Sequence, residues 1–455
     1  MSSPLSNNLA SQERRAGISL AMIYAFRMLG LFMILPVFAL YAEDFPGATP
    51  FMMGLALGIY GLTQAVLQIP FGMWSDRIGR KPVILIGLLI FAAGSLIAGA
   101  ATSIEGIIVG RAIQGAGAIA AALMALAADL SREEHRVKMM ALIGVSIGIS
   151  FAISMVLGPV LNKLIGISGI FFSTAVMALV GIAILYLFVP DPVHSHFHRD
   201  AEVEPQSLLS VLKNGELLRL DIGIFTLHFI LMCIFLVMPL ILQNDFAVVA
   251  DDHWQIYLPV FAVSLLIMVP FIIIAERKQA MKPVFNGAII SLIVATLVFL
   301  SSQSFLLLLL GLVIFFAGFN LLEASLPSLI TKTAPATQKG TAMGVYSSSQ
   351  FFGAFAGGSA GGLAQQLWGI DGVFFTVLAV LCLWSLLAFT MKKPGYLSTY
   401  LLKVKEVTVE QLLAVEGVVE AALIDEDGDD QSVAYLKVKK RILDEEKLLS
   451  LAASD

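Results

Sequence analysis

Residues 72–81 read Gly-Met-Trp-Ser-Asp-Arg-Ile-Gly-Arg-Lys, a short charged segment between two long apolar stretches. The chain around it has 455 residues, of which 58% are hydrophobic and 13% are charged. Soluble domains carry about 25% charged residues, so this composition argues against a soluble protein. Apolar runs of about 20 residues are long enough to cross a bilayer as helices. The sequence therefore predicts a polytopic membrane protein in which residues 72–81 form a surface loop.

Twelve apolar runs are predicted to span the membrane. They cover residues 17–41, 50–73, 82–102, 105–130, 138–161, 169–189, 220–242, 254–275, 284–302, 305–330, 340–366 and 372–391. The polar segment before them, residues 1–16, holds no cleavable signal pattern.

The basic residues between the spans are strongly one-sided. The opposite side holds only Lys163, whereas the side of residues 72–81 holds Arg14, Arg15, Arg77, Arg80, Lys81, Arg132, Arg136, Lys138, Arg199, Lys213, Arg219, Arg277, Lys278, Lys282, Lys332, Lys339, Lys392 and Lys393. The positive-inside rule makes the basic side cytoplasmic. Both termini are then cytoplasmic and the number of spans is even.

The chain repeats itself at a spacing of about 200 residues. Residues 166–172 (GISGIFF) and 369–375 (GIDGVFF) open the sixth and twelfth spans, and residues 70–82 recur in degenerate form at 270–283. Two six-span halves in the same orientation are typical of a duplicated transporter. The predicted halves are residues 1–189 and 220–393.

A cytoplasmic linker is predicted between the halves at residues 190–219, with an amphipathic surface helix over 207–218. Its histidines either bind a metal or are solvated, and their alternate spacing favours solvation; they are His194, His196 and His198. Cys233 and Cys382 lie inside apolar runs, so neither a disulfide nor a metal cluster is expected.

The composition becomes that of a soluble domain over residues 394–455. Strands are predicted over 401–404, 418–424 and 432–438, and helices over 409–415 and 445–451. This βαββα order is typical of a small ferredoxin-like module. The module lacks a Cys-x-x-Cys pair, and its acidic turn has no Glu placed to complete a calcium loop, so no bound metal is expected.

Three segments resemble the signature motifs of the major facilitator superfamily. Motif A is matched by Gly72, Asp76, Arg77, Gly79, Arg80 and Lys81, between spans two and three. Motif B is matched in span four by Arg111, Gln114 and Gly115, and part of the antiporter motif C by Gly158 and Pro159 in span five. The resemblance covers residues 15–392. It implies an all-α membrane protein of 12 helices in two six-helix pseudo-repeats, followed here by the α+β ferredoxin-like domain.

The resemblance also implies a function. Such a protein is a secondary transporter of the bacterial inner membrane, similar to drug–proton antiporters, that exports a small compound by alternating access. The proton gradient drives it, so no cofactor is needed. An uncoupled facilitator and a non-transporting sensor that signals through the C-terminal domain are the open alternatives. No ATP-binding or kinase motif is present, and an enzyme is not expected. The expected partners are the lipid bilayer, the substrate and protons, without nucleic acid, and the C-terminal domain is expected to bind a ligand or a second copy.

Motif A and Asp129 are expected to form a conformational latch. The resemblance places the Asp76 carboxylate at the N-terminus of span eleven, near residues 339–341, where a helix dipole stabilises it by roughly 0.3–1 kcal/mol. Arg80 is expected to pair with Asp76 and with Asp129, and the resemblance implies that this cluster stabilises the outward-open state. The alternative is that these residues only fix topology and loop shape.

Ionisable residues inside the spans are costly and are usually functional. The resemblance implies a role for Arg111 in proton coupling, and the alternative is an arginine that binds backbone carbonyls. Arg27, His228, Asn320 and Glu323 are expected to line a cavity shared by the halves. Glu323 is the first choice for the protonation site, because a low dielectric favours the neutral carboxylic acid. A fixed Arg27–Glu323 ion pair between the halves is the alternative.

Span eleven is rich in glycine, at positions 353, 357, 358, 361 and 362. Small residues let helix backbones approach closely in membranes. Tight packing of this span is therefore predicted.

Overall fold

The computed structural model describes residues 4–191, 203–301, 304–392, 398–405, 407–425, 432–439 and 442–453. The first half contains α1 (Pro4–Phe32), α2 (Leu35–Tyr41), α3 (Pro50–Ile78), α4 (Arg80–Ala100), α5 (Ile104–Ala116), α6 (Ala120–Asp129) and α7 (Glu133–Leu187). The linker contains α8 (Leu208–Lys213), and the second half contains α9 (Gly215–Asn244), α10 (Trp254–Arg277), α11 (Met281–Ser301), α12 (Phe305–Thr333) and α13 (Lys339–Phe389).

Within the described residues, ten helical segments are long and apolar enough to cross a membrane. This number counts α1 with α2 and α5 with α6, because each pair forms one apolar segment. Helix α7 has 55 residues and α13 has 51. At 1.5 Å per residue they are roughly 75–85 Å long, more than twice the hydrocarbon thickness of a bilayer.

Both long helices contain one glycine that is not helical. Gly166 of α7 has φ 69° and ψ 178°, and Gly369 of α13 has φ 70° and ψ −166°. These are the first residues of the two matching sequence segments, so the internal repeat extends to backbone conformation. A Cβ atom at either position would meet no atom within 4 Å. The need for glycine is therefore conformational and not steric, because this region of φ/ψ space is nearly closed to other residues.

Two predicted spans are interrupted where the sequence suggested continuous helices. Span one breaks at Met33 and Ile34, just before Pro36 of α2, and span four breaks at residues 117–119. A Cβ atom on Gly117 would lie 2.3 Å from the carbonyl oxygen of Gly87 in α4. The second break therefore allows close contact with α4.

The predicted amphipathic linker helix over 207–218 is wrong in extent. Helix α8 ends at Lys213, and Asn214 begins the next helix instead. The Asn214 Oδ1 atom accepts hydrogen bonds from the backbone N–H groups of Glu216 (3.1 Å) and Leu217 (3.4 Å). An asparagine in this position caps a helix N-terminus, which moves residues 215–218 into α9. The three linker histidines lie outside the described residues.

The first half has its own apolar core, which includes Leu20, Phe71, Ile84, Leu123, Ile143 and Leu185. A larger core fills the second half and continues across the boundary between the halves, where Met33 and Phe151 of the first half pack against it. The two halves therefore share an apolar interface in addition to their separate cores.

The C-terminal domain contains β1 (Ser398–Val404), α14 (Val409–Leu413), β2 (Val418–Asp425), β3 (Ser432–Val438) and α15 (Glu445–Ala453). Strand β3 lies between β1 and β2 and is antiparallel to both. Strands β1 and β2 are therefore parallel to each other, as in a split βαβ unit. Leu412 and Leu448 pack from the two helices onto Leu436 and Val438 of the central strand. The acidic turn at residues 426–430 lies outside the described residues.

One buried lysine joins this domain to the end of α12. The Nζ atom of Lys437 in β3 donates to the carbonyl oxygens of Lys332 (3.0 Å) and Ala334. Glu420 lies 3.8 Å from the same ammonium group. Burial lowers the pKa of Lys437, and Glu420 acts in the opposite direction. A cation at a helix C-terminus satisfies the last carbonyl groups and interacts favourably with the helix dipole.

Replacing either kink glycine with alanine should destabilise the protein. We expect Gly166→Ala and Gly369→Ala each to cost about 1–3 kcal/mol, because alanine is strained at these dihedral angles. The control is Gly148→Ala, at a helical position of α7 where a Cβ meets nothing within 4 Å. This change should be neutral or stabilising by up to ~1 kcal/mol. Thermal unfolding of the purified variants in detergent measures the difference, and equal midpoints for all three would contradict the assignment.

Candidate functional site

Arg80 is the centre of a charged cluster at the motif A loop, residues 72–81. Its guanidinium group forms an ion pair with Asp76, and its Nε atom lies 3.2 Å from Oδ2 of Asp129. It also donates a 2.9 Å hydrogen bond to Ser75 Oγ, which in turn donates to the carbonyl of Gly72 at 2.7 Å. The Arg80 side chain is 2% exposed and that of Asp129 is fully buried. The cluster therefore joins the ends of α3 and α6 to the start of α4.

The glycines of the loop explain how these ends come together. Gly79 has φ 98°, a conformation that glycine adopts without strain, and it ends α3 immediately before α4. A Cβ atom on Gly72 would lie 3.0 Å from the Cβ of Ala121 in α6. The backbone conformation therefore favours glycine at position 79, and close packing against α6 favours a small residue at position 72.

The two remaining cations of the loop differ in their surroundings. Lys81 is buried and donates a 2.7 Å hydrogen bond to the carbonyl of Val189, at the end of the first half. It also lies 2.7 Å from Asp191. Arg77 is exposed to solvent. Lys81 therefore contributes to structure beyond the topological charge bias that the sequence suggested for it.

The expected approach of Asp76 to the N-terminus of α13 is not seen in the described contacts. Asp76 binds Arg80 instead. The Thr341 Oγ1 atom accepts a 2.9 Å hydrogen bond from the backbone N–H of Glu204 in the linker. Ser210 donates a 3.2 Å hydrogen bond to Gln338 just before this helix. In this conformation the linker occupies the end of α13 to which the latch was expected to bind.

Arg111, the motif B arginine, is buried and fully bonded. Its Nε and Nη2 atoms donate to the carbonyl oxygens of Ala56 (3.4 Å) and Leu57 (3.3 Å) in α3. Its Nη1 atom donates to Oε1 of Gln114 at 2.7 Å. Gln114 continues the network to Ser95 at 2.8 Å. Gly115 lets α5 pack closely against α3, since a Cβ there would lie 2.2 Å from the carbonyl oxygen of Tyr60.

Arg27 is equally buried but is not fully bonded. Its Nη2 atom donates to Oε1 of Gln64 in α3, and Gln64 donates onward to Gln68 at 2.8 Å. The Nε and Nη1 atoms of Arg27 have no partner. The ring of Tyr60 lies between the two arginines, with centroid distances of 5.8 Å to Arg27 and 4.9 Å to Arg111.

Glu323 contacts His228 and Gln350 in the second half. The Gln350 amide nitrogen lies 3.3 Å from Glu323 Oε1 and 2.8 Å from His228 Nε2. The His228 Nδ1 atom lies 3.3 Å from the carbonyl oxygen of Ile224. Neutral His228 with its proton on Nδ1 satisfies both contacts, because Nε2 is then free to accept from Gln350. The Oε2 atom of Glu323 is buried and has no hydrogen-bond partner, although 34% of the side chain is exposed, and it lies 3.9 Å from His228 Nδ1.

The structure therefore divides the four expected cavity residues into three places. No ion pair joins Arg27 to Glu323 among the described residues. Asn320 points to α10 and donates a 3.0 Å hydrogen bond to Ser264. Gln64, Gln68 and Gln350 were not among the residues expected from the sequence, although amides within apolar runs signal such networks. Asp221 of α9 and Tyr346 of α13, which are buried and each hold an unpartnered oxygen, were not among them either.

The two halves meet through glycines of α3 and α13, at the end of α3 remote from the motif A loop. A Cβ on Gly54 would lie 2.1 Å from the carbonyl oxygen of Gly358, and one on Gly61 would lie 2.4 Å from that of Phe351. Gly353 and Gly357 face α9 of the same half just as closely. The predicted tight packing of α13 is confirmed, and its glycines serve two different neighbours.

The face opposite the motif A loop carries an ion pair between the halves. Lys163 of α7 lies 3.3 Å from Asp251, just before α10. The pair borders a cavity of about 610 Å³ whose lining includes Tyr41, Asp44 and Asn162. The motif C-like Gly158 lies one turn before this region, and a Cβ there would lie 2.4 Å from the carbonyl oxygen of Met33. Pro159 follows it within the same helix.

Comparison with known proteins places these features in a family. Residues 20–358 match the family model described as Major Facilitator Superfamily. The chain is 45% identical over 437 residues to the inner membrane transport protein YajR of Escherichia coli (strain K12), covering 94% of this chain and 95% of that protein. A bacterial homologue of the human lysosomal transporter Spinster, inward-facing and occupied, has the same fold, with a TM-score of 0.70, 14% identity and coverage of 87% and 98%. The human organic anion transporter MFSD10 also has this fold, with a TM-score of 0.62 and 20% identity, and the match covers 83% of this chain and 99% of that one.

A larger side chain at the α3–α13 contact should separate the two halves at the face opposite the motif A loop. Gly358→Val places a branched side chain where a Cβ already meets the carbonyl oxygen of Gly54 at 2.4 Å. We expect the labelling rate of a cysteine placed at Asn162 to rise at least about tenfold, the effect of a ~1.4 kcal/mol shift.

The background for this measurement carries Cys382→Ser, because Cys382 is exposed. The control is Gly287→Val, where a Cβ would meet nothing within 4 Å. Equal labelling rates in the two valine variants would show that the glycine contact does not close this face.

Proposed function

The chain belongs to the major facilitator superfamily, and we propose that it is a proton-coupled secondary transporter that exports a small compound by alternating access. It is a multi-pass membrane transporter and not an enzyme. The observation that carries the proposed proton coupling is the Glu323 carboxylate. It is held among neutral partners within the membrane-spanning part of the second half, with one oxygen buried and unpartnered.

We infer twelve membrane crossings, with both termini cytoplasmic. The non-helical Gly166 and Gly369 divide α7 and α13 into two segments each, which raises the ten apolar segments to twelve. The basic residues concentrated at the motif A face support a cytoplasmic location for that face. The strand order of the C-terminal domain supports a ferredoxin-like module, of which three strands lie among the described residues.

Glu323 suits a protonation site for an electrostatic reason. An ionised carboxylate within the low-dielectric interior is costly unless charged or multiple hydrogen-bonding partners surround it. Neutral His228 and the Gln350 amide supply weak compensation. Proton uptake removes this cost, and proton release restores it. The protonated and deprotonated forms of Glu323 therefore favour different conformations of the transporter.

Alternating access is supported by different contacts at the two faces. At the face remote from the motif A loop, α3 and α13 are in backbone contact and Lys163 pairs with Asp251. At the motif A face, the Arg80 cluster lies within the first half and the linker holds the end of α13. We interpret this conformation as closed toward the periplasm. The cluster around Arg80 then serves as the latch when the cytoplasmic face closes.

A regulatory or sensory role for the C-terminal domain is the second candidate. The contact of Lys437 with the carbonyls of Lys332 and Ala334 attaches the domain to α12, the helix that carries Glu323. Nine residues separate Glu323 from Lys332, about 14 Å along the helix. A ligand or second copy that moves the domain would therefore act on the helix that holds the proposed protonation site.

Removing the Glu323 charge should uncouple transport from the proton gradient. We expect Glu323→Gln in proteoliposomes to abolish proton-driven accumulation while it retains exchange of the same compound at equal concentrations. The compound is the first in a screen that evokes a proton flux in wild-type vesicles, detected by a trapped pH-sensitive dye. The control is Asp371→Asn, which removes an exposed carboxylate from the same half. Continued accumulation by the glutamine variant would disprove the assignment.

Weakening the latch should favour the state open to the cytoplasm. We expect Asp76→Asn to increase the labelling of a cysteine placed at Ser347 by a membrane-impermeant reagent applied from the cytoplasmic side, by a few-fold. The Asp76–Arg80 pair is already present in the described conformation, so the shift comes from the further contact that Asp76 is proposed to make with the N-terminus of α13 in the closed state, about 0.3–1 kcal/mol. The control is Glu276→Gln, the matching residue of the second half, whose carboxylate pairs with Lys332 at 2.7 Å. The same labelling in wild type and Asp76→Asn would leave motif A a purely topological role.

A further inference from the structure

Arg27 and Arg111 are both buried in the first half, and their bonding differs. Both residues are 1% exposed. Arg111 uses Nε, Nη1 and Nη2 on two carbonyl oxygens and one amide oxygen. Arg27 uses Nη2 on Gln64 and leaves Nε and Nη1 without a partner. All three guanidinium nitrogens of Arg111 are hydrogen-bonded, as is typical of a structural residue. Two of the three guanidinium nitrogens of Arg27 are not.

The positive charge of Arg27 also lacks a counter-charge. Within the described residues, no carboxylate lies within ion-pair distance of Arg27 or Arg111. Tyr60 offers both guanidinium groups the face of its ring, which contributes about 0.5–2 kcal/mol and far less than a counter-ion. A buried, unpaired charge costs several kcal/mol. The uncompensated side chain therefore favours binding of an anionic group.

Arg27 lies directly behind the contact between the two halves. Tyr60, which covers it, packs its ring 6.4 Å from that of Phe351 in α13. The next residue, Gly61, is in backbone contact with the same phenylalanine. Separation of α3 from α13 moves Phe351 away from Tyr60, which stays beside Arg27 in the first half. The guanidinium group is then one side chain away from the space that opens between the halves.

The apolar part of a ligand has a matching surface on both halves. Phe32 follows Arg27 on α1 and packs against Phe151 at 5.1 Å. Phe151 contacts rings of the second half, at 5.4 Å for Phe261 and 6.1 Å for Phe235. This aromatic cluster offers a large apolar surface at the boundary of the halves. It lies about one and a half helical turns from Arg27.

We propose that Arg27, oriented by Gln64 and covered by Tyr60, binds the carboxylate or a similar anionic group of an amphipathic organic anion. The aromatic cluster around Phe151 holds the apolar part of the same molecule. The inference deepens the proposed transport function, since it assigns a chemical class to the compound carried. Binding at equilibrium needs no proton gradient, so failure of proton coupling and failure of this site are separate outcomes.

The test uses the full-length protein in nanodiscs and two fluorescent probes, dansyl-aminoundecanoic acid and its methyl ester. The two differ in charge and share the apolar chain. Wild type should bind the acid more tightly than the ester. Arg27→Met should weaken binding of the acid about 10- to 100-fold, the range expected for charge-assisted hydrogen bonds, and leave the ester unchanged. Arg27→Lys should retain part of the preference. Equal binding of acid and ester to wild type, or unchanged acid binding by Arg27→Met, overturns the proposal.

A second measurement does not depend on the choice of probe. Without ligand, Arg27→Met should leave the thermal midpoint unchanged or raise it, because it replaces an uncompensated charge with an apolar side chain of similar length. Arg111→Met should lower the midpoint by a few degrees, because it leaves two carbonyl oxygens and Gln114 without their donor. Equal destabilisation by the two changes would show that Arg27 is a structural residue, and would overturn the assignment.

Discussion

A charged group in the apolar interior must find a partner, and this requirement organises the two halves differently. In the first half the buried cations have fixed partners at Arg80 and Arg111, and Arg27 is the exception. In the second half Glu323 and Asp221 each hold a carboxylate oxygen without a hydrogen-bond partner. Incompletely bonded charged side chains therefore occur in both halves, a cation in the first and carboxylates in the second. In the proposed transport, a compound and a proton would meet these two kinds of group.

The contact between the halves is built to separate. Backbone meets backbone at Gly54, Gly61 and Gly358, so α3 and α13 pack at these positions without interdigitating side chains. The ion pair between Lys163 and Asp251 adds little, since 63% of the lysine side chain is exposed to solvent. Breaking the glycine contacts exposes only small residues, and the larger apolar cost of separating the halves lies at Tyr60, Phe351 and the aromatic cluster around Phe151.

The sequence predicted the spans, the repeat and the loop because each rests on a local pattern. The similarity of residues 166–172 and 369–375 indicated the repeat, and in the structure Gly166 and Gly369 share the same non-helical conformation with positive φ. The partners of the buried charges could not be predicted in this way. Arg27 and Glu323 both lie deep in apolar runs, and their choice of Gln64 and Gln350 depends on helix rotation that no spacing encodes. The end of the linker helix was missed because Asn214 was not recognised as a cap.

The repeat also explains where the C-terminal domain attaches. At the repeat spacing, Glu276 corresponds to Asp76 and Lys332 to Asp129, so the acidic pair that Arg80 joins in the first half becomes a direct ion pair in the second. The matching turn keeps a positive φ at Gln279 without glycine. The ends of α10 and α12 are thus joined without a counterpart of Arg80. The last carbonyl groups of α12 accept hydrogen bonds from Lys437 instead. The first half thus uses its helix ends for the charged cluster around Arg80, and the end of α12 in the second half holds the C-terminal domain through Lys437.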